Sequence, residues 1–347
     1  MIELNDVSIE YPDFAVRDVS LRVSEGEFFA LLGPTGAGKT LILEAIAGVV
    51  SVTRGRVVVR GVDVTNVPPE KRRVGIVYQD LGLFPNLNVL DNIRYGLRYH
   101  RDEDHAESRS ERVRRLIDLL GLERLLKRSV HNLSGGEKQR IALARCLAVN
   151  PSLVLLDEPV SSLDVNKRGE VLTLLKDLHE NLGATFLMVT HEFSQVMFLA
   201  QRAAIINSGR LEQIGDVSDI FYRPQTRFVA EFVGMKNLWP ATFQGNIGLV
   251  NDVSIHLADK NTGGRQFLGV RPEKILVSSD PPPSADGNVM SATVTEAWNV
   301  GPYYEVTAKI NGMTIRAHCT ESALPAGGLR KGMQVFVTFS NDDIHTF

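Results

Sequence analysis

An eight-residue run near the N-terminus has the pattern of a phosphate-binding loop. Residues 33–40 have glycine at the first and sixth positions and lysine and threonine at the last two. Glycines let successive backbone N–H groups curl around a phosphate, and a helix that follows adds positive potential. Lys39 would reach the β- and γ-phosphates of a nucleotide, and the Thr40 hydroxyl would hold Mg²⁺. The residues that we expect to bind nucleotide here are Gly33, Pro34, Thr35, Gly36, Ala37, Gly38, Lys39 and Thr40.

Two acidic residues follow an apolar run further along the chain. Asp157 and Glu158 end the stretch 153–158. Asp157 suits the binding of Mg²⁺, directly or through water, and Glu158 suits polarisation of a water that attacks the γ-phosphate. The pair alone would only be suggestive, but together with the upstream loop it predicts nucleotide hydrolysis.

A second segment could also bind an anion. Ser134 and Glu137 have the spacing of a capping box at the start of a helix, and Pro151 ends the apolar pattern that follows. Gly135 and Gly136 would lie in the first turn, where backbone N–H groups can bind an anion. A well-capped helix without a ligand is the alternative that the local pattern leaves open.

The elements that would position these residues form an α/β pattern up to about residue 235. Apolar runs at 28–33, 74–79, 153–158 and 185–191 are typical of parallel strands that are buried on both faces. Each run ends in a residue type that binds phosphates or metals. Because open α/β sheets bind ligands at the carboxyl ends of their strands, one convergent site is predicted.

Two other regions have a different texture. The pattern is helical between about 85 and 150, with an amphipathic stretch over 111–126. Residues 236–347 predict an all-β domain, a small barrel or OB-like fold, since Asn311-Gly312 between two alternating runs indicates a hairpin. We therefore expect an α/β domain over 1–235 and an all-β domain over 236–347.

Composition excludes several classes of protein. The chain has 347 residues, with 38 Lys plus Arg against 41 Asp plus Glu, which gives a net charge of −3. A nucleic-acid coat usually needs a large positive excess, and the charges of the stretch 99–112 roughly balance, so no nucleic-acid partner is expected. The separation of Cys146 and Cys319 argues against a disulfide framework or a cysteine zinc site. No apolar run is long enough for a spanning helix, and no secretory signal is evident.

Six motifs in a fixed order make residues 1–235 resemble the ABC-type ATPases, a P-loop NTPase fold with a helical subdomain at about 85–150. They are the loop 33–40, Gln79 in the Q-loop, the signature 133–139, Asp157–Glu158, Asp164 in the D-loop and the switch residue His191. Tyr11 lies where this family has the aromatic residue that stacks on adenine, and Phe14 is a competitor for that role.

The resemblance implies a homodimer in which each ATP lies between one chain's phosphate-binding loop and the partner's signature segment. The roles that it implies are catalysis by Glu158, His191 and Gln79; Mg²⁺ binding by Thr40, Gln79 and Asp157; and ATP binding by Tyr11, the loop 33–40, Ser134, Gly135, Gly136, Glu137 and Asp164. The loop 81–93, with Phe84, Pro85 and Leu87 exposed, would receive an integral-membrane permease, although inward packing is the alternative.

The C-terminal region resembles the TOBE domain of importer ATPases, and most closely those that import molybdate or tungstate. The segments 220–238, 269–275, 294–301 and 319–339 carry this likeness. It implies an effector site for an oxyanion near Thr320, Ser322 and Ala323, although Ser340 stands where a lysine is common in the family. A purely structural β domain is the alternative.

The resemblance further implies a peripheral subunit at the cytoplasmic face of the membrane, which depends indirectly on a periplasmic or extracellular substrate-binding protein. Sulfate, ferric ion, polyamine or sugar are alternative cargoes, because TOBE domains occur in importers of each. A soluble ABC ATPase that acts on DNA or ribosomes, and a regulatory module without catalysis, are less favoured alternatives.

Overall fold

The structure, a computed structural model, describes residues 1–99, 108–258, 263–282, 287–324 and 328–347. The chain divides into two compact units, Met1–Ile220 and Phe221–Phe347. This division falls earlier than the boundary that the sequence predicts at 235/236. Most of the charged stretch 99–112 lies outside the described residues.

Ten strands and most of the helices of the described residues lie in the first unit. The strands are β1 (Ile2–Tyr11), β2 (Phe14–Val23), β3 (Phe28–Leu32), β4 (Arg54–Val59), β5 (Val62–Asp63), β6 (Val74–Val77), β7 (Leu153–Asp157), β8 (Thr185–Thr190), β9 (Arg202–Asn207) and β10 (Arg210–Asp216). The helices are α1 (Lys39–Ala47), α2 (Val89–Arg94), α3 (Arg109–Leu120), α4 (Gly135–Ala148), α5 (Val165–Leu182), α6 (Phe193–Leu199) and α7 (Val217–Tyr222), within which the division between the units falls.

A six-stranded sheet forms the centre of this unit, in the order β10-β9-β3-β8-β7-β6. Its inner pairs are parallel, and every residue of β3, β7 and β8 is buried. Burial on both faces explains why these strands are continuous apolar runs. Because β3, β8, β7 and β6 are consecutive neighbours, the residues at their carboxyl ends share one edge of the sheet. The predicted α/β fold is therefore confirmed.

Helix α1 packs between the central sheet and an antiparallel sheet of order β2-β1-β4-β5. Ile42, Leu43 and Ile46 are fully buried there. The Arg72 guanidinium donates to the carbonyls of Ala45 at 2.7 Å and Ile46 at 3.0 Å, and so satisfies acceptors in the last turn of the helix. The helix that follows the phosphate-binding loop is thus fixed at both faces and at its end.

Helices α2, α3 and α4 occupy the region predicted to be helical. The amphipathic stretch 111–126 is not one helix, however, because α3 ends at Leu120 and only a short 3-10 turn, Glu123–Leu125, follows. Gly121 has φ 62°, and its backbone N–H bonds to the Asp118 carbonyl at 3.2 Å. A glycine in this left-handed conformation ends helices at little steric cost.

The described part of the second unit contains one short α-helix that lies wholly within it and eleven strands. They are α8 (Arg227–Phe232), β11 (Asn237–Pro240), β12 (Thr242–Gln244), β13 (Ile247–Val250), β14 (Val253–His256), β15 (Phe267–Val270), β16 (Leu276–Ser278), β17 (Asn288–Asn299), β18 (Tyr304–Ile310), β19 (Met313–Cys319), β20 (Gln334–Phe339) and β21 (Ile344–Thr346).

Antiparallel sheets make up this unit, the largest in the order β16-β20-β17-β18-β19. The predicted hairpin joins β18 to β19. Asn311 and Gly312 have φ angles of 43° and 79°, as a two-residue hairpin turn with positive φ at both positions requires. Val306 and Ala308 face the core, where they are 1% and 2% exposed. The prediction of an all-β fold in the C-terminal region is confirmed.

Among the described residues, we find no helix that combines the length and apolar character needed to cross a membrane.

Candidate nucleotide site

The phosphate-binding loop connects the end of β3 to the start of α1. Gly36 and Gly38 adopt left-handed φ angles of 82° and 98°. A Cβ atom at Gly38 would lie 2.8 Å from the Cγ2 atom of Val16, and one at Gly33 would lie 2.2 Å from the Ile206 carbonyl oxygen. Side chains at these two positions would therefore force the loop apart. The glycines close the loop tightly enough for its backbone amides to surround one phosphate.

Lys39 reaches back into this loop. Its ammonium group donates to the carbonyls of Gly33 at 2.8 Å and Pro34 at 2.9 Å, and the residue is only 6% exposed. Burial lowers the pKa of Lys39, while the nearby Glu158 and Asp157 carboxylates oppose that shift. A nucleotide phosphate would offer the ammonium a charged acceptor in place of a neutral carbonyl, which is the stronger interaction.

Thr40 and Asp157 meet at the floor of the site. The Thr40 hydroxyl lies 3.3 Å from both carboxylate oxygens of Asp157. Burial raises the pKa of Asp157, and the bond from Thr40 partly offsets this. Both residues line a cavity of about 380 Å³ together with Gln79, Lys39 and Glu158. Mg²⁺ prefers hard oxygen ligands and commonly takes one or two from protein and others from phosphate, so these residues fit the ion.

Glu158 lies beside this cavity in a constrained conformation. Its φ angle is 45°, which is uncommon for a residue other than glycine. The backbone N–H donates to the Val189 carbonyl at 3.0 Å, and the Ser161 hydroxyl donates to the Glu158 carbonyl at 2.9 Å. His191 follows β8, and its Nδ1 atom lies 3.0 Å from Glu158 Oε1. Strain of this kind persists where surrounding bonds fix the backbone, and it is common at functional sites.

A second cavity, of about 690 Å³, also borders the phosphate-binding loop. It is lined by Tyr11, Pro12, Asp13, Phe14, Ala15, Arg17, Pro34, Thr35, Gly36, Ala37, Asn207, Ser208 and Arg210. Tyr11 is 48% exposed, as a ring that stacks on a base would be. Phe14 lines both cavities, so it remains a competitor for that contact. The sequence did not predict that residues 207, 208 and 210 would line this cavity, because no motif contains them.

The segment 134–137 begins α4 with the predicted capping box. The Ser134 hydroxyl accepts from the Glu137 N–H at 3.4 Å, and a Glu137 carboxylate oxygen accepts from the Ser134 N–H at 2.7 Å. The Ser134 hydroxyl also donates to this carboxylate oxygen at 2.8 Å, and the bonds from the Ser134 N–H and hydroxyl lower the pKa of Glu137. Ser134 and Gly135 are exposed, and none of the described residues that line the two cavities comes from this segment. The helix start therefore lies outside the lining of these two cavities.

Comparison with known proteins agrees with this geometry. The ABC transporter family matches residues 16–161, and the TOBE domain family matches residues 268–347. The chain belongs to the ATP-binding subunits of ABC transporters. The molybdate/tungstate import ATP-binding protein WtpC of Pyrococcus abyssi is 41% identical over 347 residues, which is all of both chains.

Two further similar proteins differ from WtpC in the cargo that they are named for or in how much of this chain they match. The spermidine/putrescine import ATP-binding protein PotA of a Nostoc species is 40% identical over 318 residues, which covers 87% of this chain and 81% of that one. A dimeric post-hydrolysis structure of the ATP-binding cassette MJ0796 with ADP and Pi is 30% identical, with a TM-score of 0.55, and covers 62% of this chain and 99% of that one. The chain is thus an ABC ATPase that binds ATP and carries a TOBE domain.

The Q-loop of this ATPase is fixed by a residue that the motifs did not reveal. Arg145 on α4 donates to the carbonyls of Leu81 at 2.7 Å and Gly82 at 2.5 Å. Leu81 has φ 63°, so the turn after Gln79 is held in a conformation that most side chains disfavour. The only signal in the sequence is an arginine within the otherwise apolar run 141–149.

The loop that follows is less exposed than the sequence analysis predicted. Phe84 is half-buried, and its ring lies 4.1 Å from that of Tyr95, centroid to centroid. Asn92, fully buried, bonds to both the N–H and the carbonyl of Phe84. Leu87 is also half-buried, and Pro85 is exposed. The exposure predicted for Phe84 and Leu87 is therefore wrong, because the buried Asn92 folds the loop back onto α2.

The TOBE residues proposed to bind an oxyanion lie on a short 3-10 turn after β19. The hydroxyls of Thr320 and Ser322 are exposed and lie 3.1 Å apart, with Glu321 between them in the sequence and Ala323 ending the turn. Ser340 precedes another 3-10 turn, and its hydroxyl accepts from the Asp342 N–H at 3.3 Å. Carboxylates accompany both turns, so an oxyanion would meet like charge there.

Proposed function

We propose that the chain hydrolyses ATP to energise import of a tetrahedral oxyanion, molybdate or tungstate, through a membrane permease. The contact of Glu158 with His191 beside the phosphate-binding loop carries the hydrolytic part of this proposal. The cargo rests on the likeness to WtpC over all of both chains.

In the proposed reaction Glu158 accepts a proton from the attacking water as its oxygen bonds to the γ-phosphorus. The bond from that phosphorus to the β–γ bridging oxygen then breaks, and ADP and phosphate leave. His191 holds one carboxylate oxygen of Glu158 and orients the other towards the water. Lys39 stabilises the negative charge of the phosphates.

Thr40, Asp157 and Gln79 are the residues that would hold Mg²⁺, because they line one cavity and supply oxygen ligands. The ion would neutralise charge on the β- and γ-phosphates. Gln79 also follows β6 at the same sheet edge, so we assign it contact with the reacting end of the nucleotide.

Two copies would form the catalytic unit. Ser134 and Gly135 are exposed and lie apart from the chain's own nucleotide cavities, as a segment that binds the partner's ATP would. The dimeric MJ0796 cassette is a precedent for such an assembly in a 30% identical chain. We assign Ser134, Gly135, Gly136, Glu137 and Asp164 to the partner's nucleotide, and we expect ATP to hold the dimer together.

The remaining partners follow from this assignment. The chain would act at the cytoplasmic face of the membrane, bound to permease subunits next to the exposed Pro85, and would receive cargo indirectly from a periplasmic or extracellular substrate-binding protein. PotA and sulfate/thiosulfate CysA relatives are 40% and 41% identical, so polyamine or sulfate import is the second candidate. These matches cover 87% and 86% of the chain, against all of it for WtpC.

Uptake by cells distinguishes the cargoes. Cells that lack this chain but keep its permease would be complemented with wild type or with Glu158→Gln and supplied with tungstate, molybdate, sulfate or spermidine. The proposal expects wild type alone to restore tungstate or molybdate uptake. Restoration of sulfate or spermidine uptake only would reassign the cargo, whereas full restoration by Glu158→Gln would remove hydrolysis from the account.

A further inference from the structure

Arg168 on α5 contacts two loops that belong to different parts of the nucleotide site. Its Nε atom donates to the Leu163 carbonyl at 3.1 Å, and Nη2 donates to the Ser161 carbonyl at 3.5 Å. Both carbonyls belong to the D-loop, directly before Asp164. Its Nη1 atom donates to Glu192 Oε1 at 2.8 Å, and Glu192 directly follows the switch residue His191.

The same oxygen of Glu192 also faces His191. Glu192 Oε1 lies 4.0 Å from His191 Nε2, and the opposite ring nitrogen of His191 lies 3.0 Å from Glu158. Hydrogen bonds therefore join Glu158 to His191 at one end and Glu192 to Arg168 and the D-loop at the other, and the peptide bond between His191 and Glu192 links the two ends.

The geometry restricts motion at the Glu192 and Arg168 end of this series. The side chains of Arg168 and Glu192 are each only 29% exposed, so solvent screens the pair less than it does a surface ion pair. The Glu192 N–H donates to the Thr190 hydroxyl at 3.1 Å, which in turn donates to the buried side chain of Gln195 at 2.9 Å. The planar guanidinium holds both loops at fixed angles, which the single ammonium of lysine cannot reproduce.

We propose that Arg168 is a positioning residue that couples the two ATP sites of the dimer, by linking its own chain's His191 to the D-loop that faces the partner's ATP. The inference rests on the proposed function, because it requires the composite sites. Movement of His191 when its own γ-phosphate is bound or released would shift Glu192, and Arg168 would transmit that shift to Asp164.

Asp164 is well placed to receive such a shift. It is exposed at the start of α5, and it makes no side-chain capping bond within the described part of that helix. Leu163 next to it lies against the signature segment, since a Cβ atom on Gly135 would lie 3.0 Å from Leu163 Cδ2. The loop that Arg168 holds therefore adjoins both features that we assign to the partner's nucleotide.

A dimer with one working site separates the two ends of this series. One full-length chain carries Ser134→Arg and keeps its phosphate-binding loop, and the other carries Lys39→Ala and keeps its signature segment. The working site then uses His191 of the first chain and the D-loop of the second. Arg168→Lys is added to either chain, and ATPase rates are measured over a range of ATP concentrations in tag-purified heterodimers.

The proposal expects kcat to fall about fivefold or more in both placements, in the range of ordinary site-to-site coupling, with the KM for ATP changed less than twofold. Glu192→Gln should give the same pattern, and the double variant should be no slower than either single variant, as expected for residues that act in series. Arg202→Lys is the matched control. Arg202 forms a partly buried ion pair with Glu27, in which the nitrogen and oxygen atoms are 3.2 Å apart, and this pair is not part of either loop. This variant should leave kcat within twofold in either chain.

Each other outcome decides against the proposal. A loss in the first chain alone would confine Arg168 to its own switch loop, and a loss in the second alone would confine it to the D-loop. No loss in either placement, with thermal unfolding unchanged, would leave the ion pair without a role in coupling. A heterodimer that is inactive before Arg168 is changed, with both chains folded and wild type active, would refute the composite site and the coupling together.

Discussion

The nucleotide site of the first unit and the turn proposed to bind an oxyanion in the second are built in opposite ways. Lys39 and Asp157 are 6% and 7% exposed, and each is fixed by hydrogen bonds to residues of neighbouring segments. Thr320 and Ser322 are exposed and bond to each other within one turn. Groups that are already desolvated and oriented bind a ligand at a lower cost of reorganisation. We therefore expect tight binding of the nucleotide in the first region and at most weak binding of an oxyanion in the second.

Glu158→Gln should have the largest effect, because it removes the proton acceptor and keeps the shape of the side chain. We expect ATP turnover to fall by about two orders of magnitude or more, with ATP still bound and dimers accumulating. Steady-state phosphate release and ATP titration of the full chain measure the two quantities. Glu180→Gln, an exposed change on α5, is the control and should remain within twofold of wild type. Turnover near the wild-type rate in Glu158→Gln would remove Glu158 from its role.

Lys39→Ala should act on binding. The ammonium group would form charged hydrogen bonds with phosphate, each with a net value of about 1.5–3 kcal/mol, so ATP affinity should fall by about ten- to a hundredfold. Fluorescent-nucleotide titration measures this loss. An unchanged dissociation constant would contradict the assignment of this buried lysine to the phosphates.

The loop after Gln79 contains both a half-buried residue, Phe84, and an exposed residue, Pro85. Changes at these two positions should therefore have different effects on stability and on transport. Phe84→Asp would remove the ring that packs against Tyr95 and Arg145 and would place a carboxylate in a half-buried position, so we expect the free energy of unfolding to fall by about 1–3 kcal/mol. Pro85→Asp alters an exposed residue and should leave unfolding and the ATPase rate unchanged but abolish oxyanion uptake. Equal uptake by Pro85→Asp and wild type would place the permease elsewhere.

The smallest effect is expected at Ser340, which precedes the 3-10 turn Asn341–Asp343 of the TOBE domain. Ser340→Lys adds one positive charge where Asp342 and Asp343 supply negative charge, so it should strengthen molybdate or tungstate binding to the full chain. Wild type should bind weakly, with inhibition of the ATPase only at high oxyanion concentration. Calorimetric titration of the two chains decides this. Absence of heat for both would make the TOBE domain structural or assign it another effector.

The sequence predicted most reliably the site residues that follow directly after buried strands. Buried strands lead into the phosphate-binding loop, the pair Asp157–Glu158 and His191. Those strands are recognisable as apolar runs, so we could infer from the order of the runs that the site residues lie at one edge of the sheet. The contacts of Arg145 with Leu81 and of Arg168 with Glu192 could not be inferred. These contacts join loops to helices that are distant in sequence. The sequence around an arginine in a helix does not show which oxygen atoms will accept its hydrogen bonds.

The same limit explains two places where the structure departs from the pattern of the sequence. Gly121 ends α3 inside a stretch whose apolar periodicity continues, because a left-handed glycine overrides periodicity locally. Phe84 is held inward by Asn92, a fully buried amide whose bonds to the loop backbone are not visible in the sequence.

The composite ATP site is the central claim, and the ATPase rate of a mixture of Ser134→Arg and Lys39→Ala chains tests it most directly. Each homodimer has two defective sites and should be inactive. In a random mixture half of the dimers would be mixed, each with one of two sites intact, so we expect recovery to about a quarter of the wild-type rate at most. No recovery at any ratio, with both chains folded and dimerisation of wild type by ATP retained, would contradict the account.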